Sequence, residues 1–120
     1  MGNKTKSLGL VGLGMAAGIA VSAVDDVAGL VVLRTVAALA NEAADAVTQG
    51  VASARDVDIA LQKGVNYPRG PLQWADAIGV ARVREVLVHL ASHYGDDRYR
   101  LSPLIARRHA ARAPLADAAP

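Results

Sequence analysis

From Leu30 onward the apolar positions recur every three or four residues. Val32, Val36, Leu39, Ala40, Ala43 and Val47 fall on one helical face, with Arg34, Asn41, Asp45 and Thr48 opposite. The pattern predicts a helix stopped by Gly50. Ser53 with Asp56 makes a capping box, which predicts a second helix through Ala60 and Lys63 to Gly64. Pro71, a residue type favoured at the first helical position, opens a short third helix to about Ile78. A fourth, from Val80 to Tyr94, sets Val83, Leu87, Leu90 and Tyr94 on one face and Arg82, Glu85, His89 and Ser92 away from it. Pro103 opens a fifth that reaches Ala113. The expected fold class is all-α: a single compact bundle of about five helices, preceded by an N-terminal Gly-rich strand or turn segment. The expected organisation is a Gly-rich lead-in over residues 1–25, a helical domain over 26–113 and a disordered Ala, Pro and Asp tail over 114–120.

Composition narrows the function classes. At 120 residues the chain holds one domain and one core. With 52% apolar residues and no Phe, that core must be built from Ala, Val and Leu, which suits closely packed helices. The absence of cysteine excludes disulfides, thiolate zinc sites and a cysteine nucleophile, and fits a cytoplasmic protein. Thirteen basic residues are interspersed with eleven acids for a net charge of +2, so no dense basic stripe marks a nucleic-acid partner. Arg107, Arg108, His109 and Arg112 form the nearest cluster. They read as cations complementing the negative end of a helix.

The first twenty-five residues carry two further signals. Lys4 and Lys6, an apolar run from Leu8 to Val21 and Val21-Ser22-Ala23 match the three parts of a secretory leader, with Val24 as the mature start. The run is glycine-rich and poor in bulky residues, and it falls short of the roughly 18 apolar residues a membrane span requires. Neither export nor a membrane partner is the preferred reading. Gly12-Leu13-Gly14-Met15-Ala16-Ala17 matches a dinucleotide fingerprint after a plausible strand. The position about twenty residues on, where a ribose-binding acid belongs, offers Leu33 and Arg34. Gly12 and Gly14 are therefore read as a strand and turn, and no cofactor site is expected in this chain.

Catalytic constellations are equally thin. His89 and His93 have the i, i+4 spacing of a metal pair but lack an assured third ligand, so no metal site is expected. No serine sits in a nucleophile elbow. The neighbouring acids Asp25 and Asp26, Asp56 and Asp58, and Asp96 and Asp97 read as solvated or capping groups. Glu42, inside a mainly apolar helix, reads as a buried structural acid satisfied by Asn41 and Arg34.

The chain's ordered motifs say more. Asp26-Val27-Ala28-Gly29-Leu30-Val31-Val32-Leu33-Arg34 follows the frame D-x-P-G-F-I-x-N-R; Asn41-Glu42-Ala43, Gly50-Val51-Ala52 and Asp56-Val57-Asp58 follow N-E-A, G-V-A and D-I-D. Tyr67-Pro68-Arg69-Gly70-Pro71 follows Y-P-x-G-P, with Asp76 and Gly79 after it, and Arg98-Tyr99-Arg100 with Ser102-Pro103-Leu104 follows R-Y-R and P-L. In this order, over roughly Val24 to Ala113, the sequence resembles the C-terminal helical domain of the NAD-dependent 3-hydroxyacyl-CoA dehydrogenases. It is most like the second, degenerate copy that two-copy members carry.

The resemblance implies that the catalytic His and Glu and the whole NAD site lie in a companion Rossmann domain. The helical domain's own asparagine is replaced by Leu33, whose isobutyl group can neither donate nor accept a hydrogen bond. No catalytic residue is expected here. Gly29, Arg34, Asn41, Glu42, Tyr67, Pro68, Gly70 and Pro71 become structural or substrate-wall positions. Ala28 for Pro and Leu30 for Phe depart from the frame. The implied partners are a second copy of the chain, the companion Rossmann domain and an acyl-CoA. The implied role is substrate wall and dimerisation in fatty-acid or aromatic-acid degradation, inactive alone; a free-standing interaction module is the alternative.

Overall fold

The computed structural model describes residues 17–20 and 31–119. Five α-helices and one 3-10 turn account for the body: α1 (Val31–Thr48), α2 (Ala54–Gly64), α3 (Pro71–Ile78), α4 (Val80–Tyr94), the 3-10 turn (Asp97–Tyr99) and α5 (Pro103–Ala111). No strand occurs among the described residues. Ala17 to Ala20 form an exposed turn, and the strand expected before Gly14 lies outside the described residues, as do Gly12, Gly14 and Gly29.

Helix α1 is the axis of the bundle and touches every other helix. Its sequence explains why. Ala37, Ala40, Ala43 and Ala44 are buried along it, and their single methyl groups let neighbouring helices approach on several sides. Bulk is supplied from outside that axis, by Leu72 of α3, Val83 and Leu87 of α4, and Leu104 and Ile105 of α5. The buried face therefore differs from the face expected from bulky residues. Val32 is 75% exposed, Val36 and Leu39 are half-buried, and Ala37, Asn41 and Ala44 lie inside instead.

The helix ends follow their local chemistry. Ser53 caps α2 by accepting the Asp56 N–H at 3.2 Å, while its hydroxyl donates to the Asp56 carboxylate at 2.7 Å. Gly95 ends α4 in the left-handed conformation at φ 61°, with its N–H on the Ala91 carbonyl. Helix α5 ends at Ala111, two residues before the expected Ala113, because Arg112 adopts φ 51° and turns the chain.

That turn corrects the reading of the tail as disordered. Leu115 is fully buried and Ala118 nearly so, both in the main core. The Ala118 carbonyl accepts the N–H of Ala54 at 3.3 Å, and the two carboxylate oxygens of Asp76 accept the N–H groups of Leu115 and Ala116 at 2.7 and 2.9 Å. A sequence of small residues concealed one leucine that closes the core and one distant acid that caps its turn.

Candidate functional site

Two groups of motif residues are assembled by the fold. The first is a row on α1 made of Arg34, Asn41 and Asp45, spaced seven and four apart and so on one side of the helix. All three bind the segment after α4. Asn41 is 2% exposed; its Nδ2 donates to the Arg100 carbonyl and its Oδ1 accepts the Ser102 N–H, both at 2.8 Å. Asp45 pairs with Arg100 at 3.0 Å. Arg34 donates to the hydroxyls of Tyr94, at 3.0 Å, and Tyr99, and its guanidinium lies 4.6 Å from the Tyr94 ring centre and 5.4 Å from that of Tyr99.

The tyrosines are themselves neighbours, with ring centres 5.6 Å apart. The Tyr99 hydrogen bond, with help from Tyr94, holds the Arg34 guanidinium above its ordinary pKa range, so it is a permanent cation. Just beyond, the Arg98 N–H and side chain hold the Asp96 carboxylate below its usual range. This ion pair is solvent-exposed and adds little to stability. Arg98-Tyr99-Arg100 and Ser102 thus form a strap fastened to α1 by Arg34, Asn41 and Asp45.

Asn41 had been expected on the polar face and Glu42 inside. The structure reverses them: Glu42 is exposed and Asn41 is the buried polar group. The reason is the strap, whose backbone N–H and C=O need a partner that can both donate and accept, which an amide can be and a carboxylate cannot. Leu33 is half-buried beside Arg34 and brings no polar group to this row.

The second group is the Tyr67–Pro71 turn. Tyr67 stacks on Trp74 with ring centres 5.5 Å apart and Asn66 adopts φ 57°, so the chain bends tightly before Pro71 starts α3. Gly70 is the N-cap of α3 and has no side chain with which to cap it. Asp58 of α2 does so across space, accepting the N–H groups of Leu72 at 2.9 Å and Gln73 at 3.0 Å. A Cβ on Gly70 would fall 2.2 Å from Asp58 Cγ, so only glycine leaves room for the carboxylate. Burial pushes Asp58 above the usual carboxylate range, the two N–H donors pull it back, and the charge of Asp76 adds to the rise. Asp58 had been read as a solvated or capping acid; capping is its role, but from a position 1% exposed.

The remaining candidates stay apart. His89 and His93 are both exposed on α4, and the described residues contain no group of three or more potential metal ligands. Asp58 and Asp76 each spend both oxygens on backbone N–H groups. Sequence reasoning missed the Tyr94 and Tyr99 seat for Arg34 and the capping work of Asp76. Arg34, Tyr99 and Asp76 stand within the ordered motifs, whereas Tyr94 does not.

This geometry defines a helical bundle whose motif residues brace the fold. The sequence model of the 3-hydroxyacyl-CoA dehydrogenase C-terminal domain matches residues 29–114, and the chain belongs to that family. It is 47% identical over 83 residues to 3-hydroxyadipyl-CoA dehydrogenase of Escherichia coli K12, covering 69% of this chain and 18% of that protein. It is 38% identical over 79 residues to 3-hydroxybutyryl-CoA dehydrogenase of Clostridioides difficile, covering 66% of this chain and 28% of the relative. Among solved structures, (S)-3-hydroxybutyryl-CoA dehydrogenase from Ralstonia eutropha superposes with TM-score 0.77 at 30% identity, over 90% of this chain and 38% of the other. The chain thus spans only 18% and 28% of the lengths of these two curated relatives.

Proposed function

We propose that this chain serves as the helical substrate-wall and dimerisation domain of an NAD-dependent 3-hydroxyacyl-CoA dehydrogenase, and that it carries out no chemistry alone. The oxidation of a 3-hydroxyacyl-CoA by NAD is then the work of a companion Rossmann domain, which supplies the His and Glu dyad and the nucleotide site. The observation that carries this reading is the use of the motif residues. Arg34, Asn41, Asp58 and Asp76 are all engaged in fastening one segment to another, and Leu33 stands at the family's asparagine position. None is left to polarise a substrate. Tyr67, Pro68, Gly70 and Pro71 then shape the wall rather than react.

The apolar Leu33 supports descent from the second copy of a two-copy enzyme. So does the Escherichia coli relative, of which 83 aligned residues are only 18%, whereas 79 aligned residues make up 28% of the Clostridioides protein. The former is markedly longer, with room for a further helical copy. A cytoplasmic location fits the absence of cysteine, and no described helix is long and apolar enough to cross a membrane.

Dimerisation is favoured by the apolar side chains left uncovered: Val31 and Val32 on the first turn of α1, and Val88 and Tyr94 on α4. The test of inactivity is an NADH assay on the purified chain with 3-hydroxybutyryl-CoA and NAD. No rate above background is expected, and Leu33→Asn should create none, since one amide replaces neither dyad nor nucleotide site. Turnover abolished by His89→Ala or His93→Ala would contradict the reading.

A further inference from the structure

A cleft of about 660 Å³ lies on another part of the molecule, between the start of α4 and the end of α5. Its lining includes Arg108, His109 and Arg112 from α5, Val80 and Ala81 from α4, and Asp76. The charge balance there is one-sided. Asp76 is the only acid in the lining, and both its oxygens are occupied by the Leu115 and Ala116 N–H groups. Neither Arg108 nor Arg112 forms an ion pair among the described residues.

Arg108 Nη2 donates to the Asp117 carbonyl at 3.3 Å. Arg112 sits at φ 51°, a conformation that costs a side-chain-bearing residue energy and in which glycine would be the ordinary choice. Helix α5 thus ends on a strained arginine that lines a cavity. Two guanidiniums with no ion-pair partner among the described residues, with an imidazole beside them, present planar donor forks suited to the oxygens of phosphate groups. The volume is that of a small-molecule pocket.

We propose that this cleft is a binding site for a phosphate-bearing small molecule, with Arg108 and Arg112 as its principal ligands and His109 as a third donor. The proposal does not depend on the dehydrogenase reading, because it uses only the cleft and its charges. Inorganic pyrophosphate is the probe, titrated into the full 120-residue chain by isothermal calorimetry at moderate ionic strength. One saturable site is expected, weakened at least about tenfold by Arg108→Ala and by Arg112→Ala. Arg112→Gly keeps the helix end and relieves its backbone, so it separates loss of the guanidinium from loss of fold. Arg98→Ala, at an arginine outside the cleft, should leave affinity unchanged. Amide shifts in NMR at residues 80–82 and 108–114 would locate the site. Binding that is absent, non-saturable, unaffected by Arg112→Gly or equally lost in Arg98→Ala would overturn the proposal.

Discussion

The contact between Asp58 and Gly70 lends itself to a double-mutant cycle whose signs are fixed by the geometry. Asp58→Ala removes the acceptor of two N–H bonds, at 2.9 and 3.0 Å, from a position 1% exposed. Each bond to a charged acceptor contributes about 1.5–3 kcal/mol, and release of the carboxylate's burial cost returns part of it, so a loss of about 2–4 kcal/mol is expected. Gly70→Ala acts through the same carboxylate. Gly70 sits at φ −69° and ψ 154°, where alanine is comfortable, so its cost comes from the Cβ placed 2.2 Å from Asp58 Cγ. Overpacking of that kind costs about 1–3 kcal/mol. In the Asp58→Ala background Cγ and Oδ1 are gone but the residue 58 Cβ, 2.3 Å from the new methyl, remains, so the same Gly70→Ala should still destabilise, by less than in wild type. Urea denaturation of the four proteins measures the coupling, expected at about 1 kcal/mol because only part of the clash is relieved. An equal cost for Gly70→Ala in both backgrounds would refute the steric reasoning.

Asp58 also sets a pH dependence. Because burial raises its pKa on folding, the folded state holds the Asp58 proton more tightly than the unfolded chain. This contribution is fully present below the unfolded value and is lost as pH rises through the folded one. Wild type should therefore gain stability relative to Asp58→Asn as pH falls from about 7 to about 4, spanning the carboxylate range; a relative loss in urea titrations would contradict it. Asn41→Leu, which leaves the Arg100 carbonyl and Ser102 N–H without their partner, should cost about 2–4 kcal/mol by chemical denaturation, while the exposed Glu42→Ala should change stability by less than about 0.5 kcal/mol. Leu115→Ala, at a fully buried site in the tail, should cost about 2–5 kcal/mol and lower the thermal midpoint measurably; an unchanged midpoint would show the tail to be dispensable.

Much of this fold could be read before any coordinates because its helix ends are written in local chemistry. The Ser53 and Asp56 box, Pro71 and Pro103 at helix starts, and Gly50 after the end of α1 need only neighbours within a few residues. What failed was long-range. Asn41 and Glu42 are adjacent polar residues on one helix, and which is buried depends on a strap nearly sixty residues later in the chain. Leu115 looked like part of a floppy tail because the Asp76 cap that fixes its backbone comes 39 residues earlier. The buried face of α1 was misplaced because hydrophobic patterning weights large side chains, whereas a central helix touched on several sides needs small ones. The motifs of the family were visible in order, but the physical work of each became clear only from its partners.

The central claim is that this domain works by association rather than chemistry. Sedimentation equilibrium of the purified chain at tens of micromolar tests it most directly. A two-fold dimer covering the exposed Val31 and Val32 or Val88 and Tyr94 would bury on the order of 1,000 Å² or more in total. The account predicts a species of twice the 12.4 kDa chain mass, shifted toward monomer by Val32→Glu or Tyr94→Glu. A single species of 12.4 kDa throughout that concentration range would contradict it.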